Sequence, residues 1–149
     1  MDISRLVSLL RDNDIKKFKS ELKRFNTASL NSSTIKNKEH DAEEYTIMEL
    51  TIIHGNCEFV DALLEVNVNP NLGARREQPI LLAARYGHHK ILERFMKSNV
   101  KQNDDCQVRF DECNSKGENV LHLGKYLKIH ISCLILSFSS SNTKLDLFL

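Results

Sequence analysis

The sequence predicts an all-α protein built from stacked helix-turn-helix units joined by short hairpin loops. Three observations carry that prediction. Two segments align without a gap at a spacing of 32 residues: TIMELTIIHGNCEFVDALLEVNVNPN from Thr46 and QPILLAARYGHHKILERFMKSNVKQN from Gln78. Gly55 and Gly87 share that spacing, as do Phe59 and Ile91, Leu63 and Phe95, and Asn67 and Asn99. The apolar residues of each unit also come in pairs four apart, Phe59-Val60 with Leu63-Leu64 and Ile91-Leu92 with Phe95-Met96. That spacing sets them on one helix face, Leu64 included, ready for burial against a neighbouring layer. A period of about 20–50 residues marks units that bury their apolar faces only by stacking.

Taken in order, residues 1–25 read as a divergent helix pair. Leu6, Leu9 and Leu10 share one face, Asn13-Asp14 form the turn, and Ile15, Phe18, Leu22 and Phe25 continue at helical spacing. Residues 26–43, NTASLNSSTIKNKEHDAE, are rich in Ser, Thr, Asn and charge; they read as a polar flexible connector. Residues 44–124 hold two full units and the start of a third. Thr46 and Glu49 have the spacing of a capping box, in which each side chain bonds the other residue's backbone N–H. Pro79 suits the first turn of a helix, where its missing N–H costs nothing. Gly55 and Gly87 fall between the helices, where a left-handed residue ends one and turns the chain back. Lys116-Gly117-Glu118-Asn119-Val120-Leu121-His122-Leu123 opens the third unit, with Leu121 placed 41 after Ile80. Residues 101–113 therefore carry an insertion of roughly nine residues against the 32 period.

The pattern resembles the ankyrin repeat, whose unit of about 33 residues opens on Thr-Pro-Leu-His and places two small residues and then Gly-His before its second helix. Ala83-Ala84, Gly87-His88 and Ile91-Leu92 match that signature, and Gln78-Pro79-Ile80-Leu81 matches it loosely. In the first unit Thr51-Ile52 stand for the paired alanines and Asn56 for the His. The resemblance implies an ankyrin-repeat solenoid. It also implies that His88 serves its turn and that the His122 ring bonds backbone between repeats, with Gly117 at the hairpin ahead of it.

Composition narrows the function. Lys and Arg number 21 against 20 Asp and Glu, so no field of one sign draws nucleic acid or an anionic membrane. At 41% hydrophobic the chain can fill a core. It lacks a run of about 20 apolar residues, so direct membrane insertion is not expected. Its start, MDISRLVSLLRDND, turns acidic at once, unlike a secretion signal. The four cysteines, Cys57, Cys106, Cys113 and Cys133, are too scattered for a disulfide framework or a zinc site, and read as reduced thiols of a cytosolic segment. His88-His89 point in different directions on a helix and chelate poorly. Asp104, Asp105, Asp111 and Glu112 lack the spacing and the central Gly of a calcium loop, and no Gly-rich phosphate loop is present. The expectation is a binding protein, not an enzyme, with no cofactor and no metal.

Stacked units present a concave surface of loop tips and first helices. Arg75, Arg76 and Glu77 form one such tip and Arg85-Tyr86 the end of a first helix, together a basic, partly aromatic patch for an acidic protein partner. The segment LVSLLRDNDIKKF from Leu6 to Phe18, a polar connector, and then Ile53-His54-Gly55-Asn56 follow one another in an order similar to the ankyrin region of insect transient receptor potential channels. That resemblance implies a cytosolic array of a calcium-permeable cation channel sensing noxious stimuli. Its parent would lie in the plasma membrane, and neighbouring repeats of the same channel are further candidate partners. The other reading is a soluble ankyrin adaptor or inhibitor, resembling the inhibitors of Rel-type transcription factors.

Residues 125–149 show neither repeat spacing nor a Gly-His turn. Gly124-Lys125-Tyr126 is also what a splice donor reading GGTAAGTAT encodes in this frame, so the tail reads as intron read-through. A divergent C-terminal cap helix is the alternative.

Overall fold

The computed structural model describes residues 3–36, 43–74, 77–99, 108–110, 112–120 and 122–123. It is mostly helical, with seven helices and one two-stranded sheet among the described residues. The helices come largely in pairs: α1 (Ser4–Arg11) with α2 (Ile15–Leu22), α4 (Ile47–His54) with α5 (Cys57–Glu65), and α6 (Pro79–Arg85) with α7 (His89–Asn99). First helices pack in the row α1, α4, α6, and second helices in the row α2, α5, α7.

The turns inside the pairs share one conformation. Asn13, Gly55 and Gly87 all take positive φ, at 56°, 81° and 73°. Asn is the residue besides Gly that visits this region readily. The N–H groups of Asp14 and His88 then reach back five residues, to Leu9 and Ala83, which satisfies carbonyls at the helix ends. The second helix of the middle pair ends the same way, with Asn67 at φ 58° and the Val68 N–H bonded to the Leu63 carbonyl.

Between the rows lies one apolar core. Leu6, Phe18, Leu22, Ile47, Ile52, Phe59, Leu63, Ile80, Leu81, Ile91 and Phe95 are all buried. Leu64 is buried as its helical position predicts, and Met96 is packed at the core's edge. Helix α4 is buried along most of its length, from Ile47 to Ile52, because it has a neighbouring first helix on each side.

The capping box forms as its spacing predicts. Thr46 Oγ1 accepts from the Glu49 N–H at 3.2 Å, and Glu49 Oε2 accepts from the Thr46 N–H at 2.7 Å. Thr46→Ala is expected to cost about 1 kcal/mol of unfolding free energy, the usual loss of an N-cap; urea unfolding reads it directly. Pro79 occupies the first turn of α6.

Within the connector expected at residues 26–43, the stretch 26–36 differs from the sequence reading, while 37–42 lie outside the described residues. In place of a flexible connector, Thr27–Ser32 form α3, and Thr34–Lys36 (β1) pair antiparallel with Glu44–Thr46 (β2), Ile35 opposite Tyr45. The fold is thus not purely helical. Asn26 caps α3 by accepting the Ser29 N–H at 2.6 Å, and the one large apolar residue of α3, Leu30, is buried. The polar side chains are bonded to the loop after α5: the Thr27 hydroxyl donates to the Val66 carbonyl at 3.1 Å, and Asn31 Oδ1 accepts the Asn69 N–H at 2.9 Å. Polar composition here serves docking onto a neighbouring loop. Among the described residues no helix is long and apolar enough to cross a membrane.

Candidate interaction surface

The loop from Asn69 to Gln78, between α5 and α6, is built from its polar residues outward. Asn69 Oδ1 accepts the Asn71 N–H, and Asn71 Oδ1 accepts the Arg109 N–H, both at 2.9 Å, which ties this loop to the one after α7. Glu49 fixes the same loop from beneath. Its Oε2 accepts the Ala74 N–H at 3.1 Å as well as the Thr46 N–H, and the residue is only 2% exposed. One buried carboxylate oxygen therefore caps α4 and holds the backbone of this loop at Ala74. Charge-assisted bonds of this kind are among the stronger ones a backbone N–H makes.

Arg75 and Arg76 lie outside the described residues. Glu77 and Arg85 meet in an ion pair, Nη2 to Oε1 at 2.6 Å. Tyr86 is 43% exposed and stacks on His88, ring centroids 5.9 Å apart and planes 9° from parallel. The structure thus joins three of the five predicted surface residues along the outer end of α6. It also changes their charge: Glu77 offsets Arg85, so this stretch presents an aromatic ring beside a neutralised pair. Gln78 Nε2 donates to Glu112, which also takes Arg109 at 3.0 Å, so the loop after α7 folds against the start of α6.

The turn residues are placed by contacts between pairs. Asn56 Nδ2 donates to Asn13 Oδ1 at 3.0 Å, linking the first two turns. His88 links the next two. Its ring lies over Gly55 so closely that a Cβ added there would stand 2.7 Å from Cε1. Second helices are bridged on their outer side by Lys19 with Glu65 at 3.6 Å and Arg94 with Asp61 at 3.2 Å. Partial burial pushes the Asp61 carboxyl above its ordinary value, and Arg94 opposes that rise. Asp14 is held below the ordinary value, first by the Lys17 N–H it accepts at N-cap and then by the Lys17 side chain.

At the third opening Gly117 has φ 75°, and Asn114 Oδ1 accepts the N–H groups of Lys116 and Glu118. The His122 contact expected between repeats is instead local. Its Nδ1 accepts the Asn119 N–H at 3.2 Å, while Asn119 Oδ1 accepts the His122 N–H at 3.1 Å. The reason is geometric: Asn119 and His122 stand three apart at a helix start, as Thr46 and Glu49 do, and close the same reciprocal box. Leu121 and the tail from Gly124 fall outside the described residues.

The ties from Glu49 to Ala74, from Asn31 to Asn69 and from His88 to the Gly55 turn were not read from the sequence. For Glu49 the capping box accounted for the residue fully, and a second acceptor contact 25 residues away has no local signature. Among the described residues no group of three or more His, Cys, Asp or Glu side chains could hold a metal ion. No protein-family model matches the chain, and no curated protein matches it significantly.

Proposed function

We propose that this chain is an ankyrin-type protein-interaction segment, without catalytic function, that binds a protein partner through its loop tips and first helices. The observation that carries the reading is the recurrence of one left-handed turn at Asn13, Gly55 and Gly87 between paired helices, each turn in contact with the next. Nearest-neighbour ties of this kind are what a stacked repeat requires. The loop backbone that Glu49 anchors at Ala74 supports the same reading, because a segment held on a rigid base loses little freedom on binding.

The biological setting rests on the resemblance of Leu6–Phe18 and Ile53–Asn56 to the N-terminal ankyrin region of the insect transient receptor potential channel painless. On this reading the segment belongs to the cytosolic array of a cation channel of that kind, whose parent chain resides in the plasma membrane. Full-length transcript sequencing tests it. Six downstream apolar segments with a pore loop are the expected result, whereas a stop codon after a few further repeats would establish a soluble adaptor. Transcripts that splice at Gly124 would assign the tail to an intron.

Once a partner is in hand, the double variant Arg76→Glu, Arg85→Glu is expected to weaken binding at least tenfold. Its unfolding should change little, because an exposed ion pair contributes only about 0–1 kcal/mol. Unchanged affinity would remove the tip and the end of α6 from the interface.

A further inference from the structure

The two joints between successive helix pairs are made from different chemistry. The first is amide to amide, Asn56 to Asn13, and carries no proton that leaves near neutral pH. At the second, the His88 ring is wedged against the neighbouring turn. A Cβ on Gly55 would lie 2.7 Å from Cε1, 3.1 Å from Nε2 and 3.3 Å from Nδ1. The ring also stacks on that of Tyr86, with planes 9° from parallel. Nε2 is buried without a hydrogen-bond partner, while the ring bonds the backbone of Ile53 in a way that favours its protonated form. By elimination Nδ1–H donates to the Ile53 carbonyl, leaving Nε2 as a bare acceptor.

A neutral ring fits this seat. A second proton does not, because it would place a donor and a full charge at a buried nitrogen with no acceptor beside it among the described residues. From this geometry we infer that the joint between the α4–α5 and α6–α7 pairs is an acid-released clasp, closed while His88 is neutral and opened when Nε2 takes a proton.

The elements meeting at this joint carry His54 on α4, Cys57 and Glu58 at the start of α5, Arg85 and Tyr86 at the end of α6, and His89 and Lys90 on α7. Of these His89 alone shifts the ring, and its charge opposes a second one. Burial is the main cause that lowers the His88 value, and the Ile53 bond offsets it in part. The sign follows from linkage. A histidine whose folded value is depressed binds fewer protons folded than unfolded, so its contribution is full above the ordinary value of about 6.5. It is lost as pH falls through 6.5 towards the folded value. At pH 5.5 this one group weakens the folding equilibrium by up to about tenfold relative to pH 7.5.

The test compares the native chain with His88→Asn, whose amide can still donate to Ile53 but does not titrate. Denaturant unfolding at pH 7.5 and 5.5 is expected to show a folding equilibrium that falls several-fold, up to about tenfold, more in the native chain than in the variant. Asp61, Asp14 and the other histidines are common to both proteins and cancel in the difference. Equal pH dependence would overturn the clasp. Should the variant fail to fold, the native protein decides: the His88 Cε1–H resonance is expected to titrate below the free-imidazole value, and a midpoint at or above it refutes the proposal. Hydrogen exchange, corrected for intrinsic rates, should show α6 and α7 losing protection at pH 5.5 ahead of α1 and α2. Equal loss in all three pairs would place the acid sensitivity elsewhere.

Discussion

Phe59→Ala is expected to lower the unfolding free energy by about 3–5 kcal/mol, the range for truncating a fully buried aromatic. Phe59 has no exposed surface, and its ring meets that of Phe18 edge to face, centroids 4.8 Å apart at 73°. The two residues sit on successive second helices, α2 and α5, so one cavity would weaken two helix pairs at once. Against a total stability of about 5–15 kcal/mol for an ordinary domain, that is a large share. Urea unfolding of Phe59→Ala, Phe18→Ala and the double variant measures it. A coupling of about 0.5–1.5 kcal/mol is expected for the aromatic contact itself. A loss below about 1 kcal/mol for Phe59→Ala would mean that the α2–α5 contact does not hold the chain together.

Why Phe59 was legible in the sequence while Leu30 was not is a matter of period. Phe59-Val60 and Leu63-Leu64 repeat every four residues, and the same pattern returns 32 residues later, so helix, face and burial all follow from spacing. Helix α3 has six residues and one large apolar side chain, Leu30. No period can be read from one point. What holds α3, besides its local Asn26 cap, is the pair of Thr27 and Asn31 bonds to the loop after α5 and the strand pair beyond it, and each of those partners lies about 40 residues away or on another element. Polar residues that satisfy distant backbone look the same in a sequence as polar residues that face water.

The surface divides in the same way. Tyr86 at the end of a first helix was placed by the repeat alone, and it is exposed as expected. The pairing of Arg85 with Glu77 joins a helix end to the loop before its start, eight residues away, and depends on a side-chain conformation that no pattern specifies. Position in the repeat thus indicated the exposure of Tyr86 but not the pairing that offsets the Arg85 charge. His88 is a sharper case. The Gly-His pair marks a turn, yet the function of that ring depends on the glycine of the preceding turn, 33 residues earlier.

Gly55→Ala is accordingly expected to be far more costly than Gly87→Ala, although both glycines hold the same backbone conformation. At φ 73° with nothing within 4 Å of an added Cβ, Gly87→Ala should lose only the left-handed penalty, about 1–2 kcal/mol. Gly55, at φ 81°, bears that penalty and a collision with the His88 ring at 2.7 Å. Relief requires the ring to leave the Ile53 carbonyl, which adds about 1–2 kcal/mol for the lost bond and the disturbed packing. The expected total is about 2–4 kcal/mol. A third variant separates the two causes. In a His88→Ala background the steric component has no partner, so Gly55→Ala should cost no more there than Gly87→Ala does in the native chain. Denaturant unfolding of the set decides it: if Gly55→Ala and Gly87→Ala cost the same in the native chain, the imidazole does not rest on Gly55, and the joint between the second and third helix pairs is held by the apolar core alone.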